Sequence, residues 1–129
     1  MSESTCPFCS LPEPRIVEQN TFAFWIYDNF PVSPGHSLFI PKRHIESFFD
    51  LSGEERPAVL ALLDLAKGAL DRERHPSGYN IGINDGQAAG QTIPHLHLHL
   101  IPRYQGDVAD PRGGVRWVLP EKADYWTKR

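Results

Sequence analysis

The chain has 129 residues, with 13 basic and 16 acidic side chains, a net charge of -3, 40% hydrophobic and 22% charged residues. That length holds one domain (1–129) with a modest core, of ordinary soluble globular composition and with no electrostatic case for bulk nucleic-acid binding. No apolar run reaches membrane-spanning length and Met1-Ser2-Glu3-Ser4 does not read as a signal peptide, so no membrane partner is expected and a cytoplasmic location is the default expectation.

The two cysteines, Cys6 and Cys9, enclose only two residues and cannot staple a large loop. Their spacing suits a metal knuckle, with free thiols or a redox pair as the alternatives. Thr21 to Asp28 is aromatic and β-rich and predicts a strand. Asn29 to Gly35 carries two prolines and a glycine and predicts a turn. Ser37 to Ile40 predicts the second strand of a long-looped hairpin, ended by Pro41. Ser52-Gly53-Glu54-Glu55 is a capping-box pattern that starts a helix running to about Arg74. Val59, Leu62, Leu63, Ala66 and Leu70 share one face of that helix, and Pro57 predicts a distortion just past its first turn. His75-Pro76-Ser77-Gly78 stops it. Tyr79 to Asn84 predicts another strand, and Asp85 to Gly90 a loop of small residues. The final strand is expected over the histidine run, closed by Pro102. The tail 104–129 shows little periodicity, so the core of the domain is about 6–103. The fold class is therefore α+β, an antiparallel sheet with one long helix.

In Pro94-His95-Leu96-His97-Leu98-His99-Leu100-Ile101-Pro102, histidine alternates with leucine. Strand geometry puts His95, His97 and His99 on one face and the leucines in the core. Neutral imidazole can attack phosphorus covalently, provided its other ring nitrogen donates to a fixed acceptor. Neighbouring imidazoles can bind phosphate oxygens and protonate a leaving group. The preceding loop, with Gly86, Ala88, Ala89 and Gly90, lets backbone N–H groups approach an anion, and Gln91 and Thr92 add neutral donors. A transition-metal site on the histidine face is the competing reading, but it leaves this loop without a job. Asp28 and His36 sit at a turn, where local hydrogen bonding also accounts for them. His75, at a helix end, reads as structural.

Asn84 to Arg103 resembles the signature of the histidine triad (HIT) family: a Gly-Gln-Ser/Thr stretch, then His-x-His-x-His among apolar residues. A second stretch is also similar, Asp28 followed by Pro34-Gly35-His36, an apolar strand, and Pro41-Lys42-Arg43-His44. The resemblance implies a HIT-like fold with an additional short helix, paired as a homodimer. It implies a nucleotide hydrolase or nucleotidyl transferase that attacks an α-phosphate. In that reading His97 is the nucleophile and passes through a nucleotidyl-histidine intermediate, so acid should silence it. His99 contacts the phosphates and His36 supports the histidines. Gln91 and Thr92 bind phosphate oxygens or the leaving group, Asn84 holds the α-phosphate and Asp28 accepts from the ribose. The resemblance also implies a structural Zn2+ on Cys6, Cys9, His44 and His95, and no organic cofactor. Ala89-Gly90-Gln91-Thr92 and the Pro-Val-Ser-Pro-Gly-His turn are more similar to the fragile histidine triad branch, which cleaves diadenosine polyphosphates to release AMP. The knuckle departs from that branch. The alternatives are an adenosine phosphoramidase cleaving P–N bonds, or a nucleotide-binding sensor with slow turnover.

Overall fold

The computed structural model describes residues 2–127. A five-stranded antiparallel sheet has the order β1-β2-β3-β5-β4: β1 Ile16–Gln19, β2 Ala23–Tyr27, β3 Ser37–Pro41, β4 Gly78–Gly82 and β5 Leu98–Arg103. The long helix α1, Glu55–Arg74, lies on one face, and a short helix α2, Pro120–Ala123, lies in the tail. Among the described residues no helix is long and apolar enough to cross a membrane.

The helix begins where its capping box predicts. Glu55 donates its N–H to Ser52 Oγ at 3.1 Å, and Ser52 donates its N–H to Glu55 Oε1 at 2.9 Å. The distortion expected at Pro57 does not interrupt the helix, which runs through Pro57, its third residue, without a break. Arg56 N–H makes the first bond of the helical ladder, to Ser52 O at 3.1 Å, and Pro57, itself exposed, removes only the next one. His75 ends α1 in the left-handed conformation, at φ 50 and ψ 50.

Val59, Leu62, Ala66 and Leu70 of α1 pack against Trp25, Phe39, Leu96, Leu98 and Leu100. Each large apolar side chain buried this way contributes roughly 1.5–3 kcal/mol. A second cluster, Cys6, Phe8, Ile26, Leu38 and Ile40, covers the opposite face. Central strand β3 is consequently buried at every residue, and the N-terminal knuckle is clamped onto the sheet.

Three strand expectations need correction. The histidine strand begins only at Leu98, so His95 and His97 precede it. There the chain makes a tight turn, with His95 N–H donating to Ile93 O at 2.8 Å, and Leu96 N–H is claimed by Ile45 O at 2.7 Å. Leu96, Leu98 and Leu100 are nonetheless all buried. Pro102 does not end β5; it lies within it, opposite Tyr79. Its carbonyl accepts from Ser33 Oγ at 2.7 Å on the side away from β4, and a residue's N and C=O face the same side of a strand, so no ladder bond to β4 is lost. The strand expected over Tyr79–Asn84 is Gly78–Gly82. The short edge strand β1 carries no period-two pattern, with only Ile16 turned inward, and was not anticipated.

Glu55 also anchors Arg43, which donates from Nε and Nη2 at 2.9 and 2.7 Å. That guanidinium holds the buried carboxyl down at about 2, against an ordinary 4.5. A carboxyl depressed in the fold stabilises fully above its unfolded value and loses that contribution as pH falls from about 4.5 towards 2. Glu55→Ala should cost about 2 kcal/mol at neutral pH. Urea melts at neutral pH and at pH 3 should show the gap to the native chain narrowing in acid; a constant gap would refute this assignment.

Candidate active site and metal centre

His97 leaves the tight turn with its ring already committed. Its Nδ1 lies 2.9 Å from the carbonyl oxygen of His95. A carbonyl only accepts, so Nδ1 carries a proton, and in the neutral ring the lone pair is on Nε2. Phe8, buried between the two cysteines, sets its ring against His97 at 5.1 Å between centroids. His99 is the other aromatic neighbour, at 5.2 Å.

A chain of hydrogen bonds likewise fixes His99. Val32 N–H donates to His36 Nδ1 at 3.2 Å, so His36 carries its proton on Nε2. That Nε2–H lies 2.9 Å from His99 Nδ1, and His99 therefore presents Nε2–H as a donor. Burial, and then the His97 and His36 rings, push His99 down to about 4. Burial also lowers His36, and the Asp28 charge opposes it. Asp28 Oδ2 sits 3.5 Å from His36 Nε2, an outer contact beside the shorter bond to His99. The other oxygen, Oδ1, accepts from Phe30 N–H at 2.9 Å, so the turn role of Asp28 is real and leaves Oδ2 available.

The loop residues divide. Asn84 and Thr92 are exposed, and Asn84 borders the same cavity as His36 and His99. Gln91 is engaged within the loop: its Oε1 accepts from Gly86 N–H at 2.8 Å, and its Nε2 donates to Glu46 O at 2.9 Å and Ile93 O at 3.2 Å. It shapes the approach to the histidines rather than presenting a free donor. Gly86 and Gly90 take φ values of +96 and +95, which side chains with a Cβ rarely adopt.

Cys6, Cys9, His44 and His95 converge, with one ligand atom from each lying within 4.8 Å of all the others. The edges measured include Cys6 Sγ to His95 Nδ1 at 3.3 Å, Cys9 Sγ to His44 Nδ1 at 3.1 Å, and His95 Nδ1 to His44 Nδ1 at 3.1 Å. A tetrahedral ion with metal–nitrogen and metal–sulfur bonds near 2.0–2.3 Å places its ligand atoms about 3.3–3.8 Å apart, so the set fits. His95 Nε2 donates to Pro41 O at 2.8 Å, which leaves Nδ1 as the lone-pair nitrogen aimed at the cluster. His44 Nδ1 faces that lone pair at 3.1 Å, within the spread of ligand atoms a tetrahedral ion requires. Burial and the neighbouring Cys6 push the Cys9 thiol up to about 11, so a metal must displace its proton on binding.

The HIT domain family model matches residues 12–106. The chain belongs to this family. A HIT-like protein of Mycoplasma pneumoniae, itself uncharacterized, is 35% identical over 81% of this chain and 76% of its own length. The AP-4-A phosphorylase of Mycobacterium tuberculosis is 30% identical over 78% of this chain, which spans 55% of that enzyme. Among solved structures, a zinc-bound histidine triad family protein from Mycobacterium smegmatis superposes with a TM-score of 0.73 at 36% identity, covering 84% of this chain and 82% of that one. The α+β HIT fold expected from the motifs is thus established.

Every histidine of the HIT motif is accounted for by two neighbouring constellations: His95 and His44 with the cysteines, and His97 and His99 with His36. Sequence reasoning missed Phe8. The available signal was its place inside the knuckle, since a turn that brings Cys6 to His95 carries Phe8 towards His97. It also missed Val32, whose N–H sets the tautomer of His36; no sequence pattern encodes a backbone donor. Ring-nitrogen NMR should find His99 neutral at pH 6 as the Nε2–H tautomer, titrating near pH 4. A midpoint at or above the ordinary 6.5 would refute the dominance of burial.

Proposed function

We propose that this HIT protein is a nucleotide hydrolase or nucleotidyl transferase acting through a covalent nucleotidyl-histidine, with dinucleoside polyphosphates as substrates and AMP as product. The observation that carries the reading is the His97 Nδ1–His95 carbonyl bond, which fixes the ring and, in its neutral form, puts the lone pair on Nε2. Nε2 attacks the α-phosphorus, the P–N bond forms, and the P–O bond to the polyphosphate leaving group breaks. His99 Nε2–H binds a phosphate oxygen, and its Nδ1 is steadied by His36. Asp28 Oδ2 accepts from the ribose, while Asn84 and Thr92 donate to the phosphate. Gln91, through its hold on Gly86, keeps the loop open to the anion. Water then cleaves the P–N bond and releases AMP. The name of the tuberculosis relative supports a diadenosine-polyphosphate substrate.

Zn2+ is the cation proposed for Cys6, Cys9, His44 and His95, in a structural role. Bound there it supplies a cross-link between the N-terminus and the sheet, and the closed four-ligand set leaves no open position for substrate. We read the protomer as one half of a homodimer, since β4 closes the sheet with an unpaired edge.

Chromatography of products from diadenosine tetraphosphate should show AMP plus ATP. ADP plus ATP, formed only when phosphate is supplied, would make the protein a phosphorylase. AMP mainly from adenosine phosphoramidate would make it a phosphoramidase. His97→Ala should lower turnover about ten-thousandfold while the protein retains about one zinc per chain. His95→Ala should lose the metal. Loss of zinc with His97→Ala would overturn the division between the two clusters.

A further inference from the structure

The C-terminal segment lies beyond the family match, which ends at residue 106, and the mechanism above does not use it. It forms one wall of a groove of about 840 Å³ that starts at His99 and His36. The floor continues along the histidine face of the sheet, with His99 opposite Gly82 and Ile101 opposite Asn80. Opposed residues of an antiparallel pair share a face. Leu98 and Leu100 point the other way, into the α1 core. Val32 stands on the near wall, and Trp117 and Val118 on the far one.

That far wall is built rather than draped. Trp117 Nε1–H donates to Arg112 O at 2.8 Å, and the Arg112 guanidinium lies 4.9 Å over the Trp126 ring. Arg116 donates to the carbonyls of Lys122 and Ala123 at 2.6 and 2.8 Å. Gly113, at φ +95, admits both indoles, since a Cβ there would lie 3.0 Å from Trp126 and 3.2 Å from Trp117 Nε1. Gly114 seats the segment on β4, where a Cβ would stand 3.3 Å from Asn80 Nδ2. Trp117 nevertheless stays 47% exposed and Val118 75% exposed. The segment holds an aromatic face open towards the groove instead of burying it.

The charges indicate which part of a substrate fits. Arg103, the cation on the groove floor among the described lining residues, is held by both oxygens of Asp107 at 2.8 Å and by Asn80 at 2.7 Å, and the other lining carboxylate, Asp110, is paired with Arg112 at 2.9–3.2 Å. The groove beyond His99 is therefore close to neutral and flanked by apolar groups, while the donors for an anion stay at the histidines. A volume of about 840 Å³ falls in the range, roughly 300–1,000 Å³, of small-molecule sites.

The geometry points to this groove as the site of the leaving half of the substrate: a second nucleoside, its phosphates at His99 and its base against Trp117. The inference rests on the nucleotide-hydrolase reading and deepens it. Residues 107–118 would then set the preference for dinucleoside polyphosphates over substrates with a small leaving group. A stacked base is worth about 1–3 kcal/mol, or roughly five- to 150-fold.

The test uses the full-length protein and Trp117→Ala, with diadenosine tetraphosphate and adenosine phosphoramidate as paired substrates. The ratio of kcat/KM for the two should fall about tenfold in Trp117→Ala, through KM of the dinucleotide. A second readout needs no turnover. With AMP saturating the nucleotidyl side, titration of ATP should shift the Trp117 indole N–H resonance of the native chain. If neither substrate is cleaved but ATP still shifts that resonance, the hydrolase reading fails and the groove stands as a nucleotide site. An unchanged ratio together with an unmoved indole overturns the groove. So does an indole shift that follows protein concentration rather than ATP, with Trp117→Ala changing the subunit count by sedimentation, because the occupant would then be a second copy of this chain.

Discussion

The backbone carbonyl of His95 is the point on which the rest of the site depends. It takes the proton-bearing nitrogen of His97, and its own position is fixed from two directions. The His95 ring is fully buried, with Nε2 tied to the Pro41 carbonyl and Nδ1 turned into the cysteine–histidine cluster. The Leu96 N–H that follows is tied to Ile45. A carbonyl so constrained orients an imidazole without placing a charge beside it. A carboxylate in that place would also orient the ring, but it would favour the imidazolium form, which cannot attack. A peptide oxygen thus suits the nucleophilic role proposed for His97 better than a charged acceptor would.

Burial does the complementary work on the other histidines. His36 and His99 face each other at 2.9 Å, a distance two imidazolium rings could not share. Desolvation eases the conflict by pushing both towards the neutral form, and the chain of donors from Val32 then settles which nitrogen carries each proton. Asp28 acts against this trend. Its charge favours protonation of His36, and the 3.5 Å separation together with its bond to Phe30 N–H moderates the effect. A carboxylate kept at that distance can serve a neutral hydroxyl donor without converting the histidine pair into cations.

Much of this was legible in the residues, for reasons that differ from place to place. The Ser52–Glu55 capping box and the apolar face of α1 are local patterns whose physics is complete within a few residues, and they formed as read. The leucine alternation was also right in its consequence, since Leu96, Leu98 and Leu100 are buried, although the strand assigned to explain it starts only at Leu98. Alternation reports burial, and a tight turn at His95 can preserve it without sheet pairing. The proline reading failed for a related reason. Pro102 stops a ladder only on the side its nitrogen faces, and that side carries Ser33 rather than β4. The convergence of Cys6 and Cys9 with His44 and His95 joins residues as many as 89 positions apart, and no spacing rule reaches that far. Family motifs suggested it; only the tertiary fold brings it about.

The tail shows where pattern reading stops and packing takes over. Residues 107–127 have no useful periodicity because they are organised by side chain against side chain: guanidinium over indole at Arg112 and Trp126, guanidinium over phenol at Arg116 and Tyr125, and glycine beneath two indoles at Gly113. Such a unit needs no hydrophobic stripe, since arginine stems cover aromatic faces while their charged ends reach backbone carbonyls. It meets the sheet at few places, Gly114 beside Asn80 of β4 and Asp107 on Arg103 of β5. The imidazoles are thus set by peptide groups of the core, while Trp117 is carried by a self-packed tail.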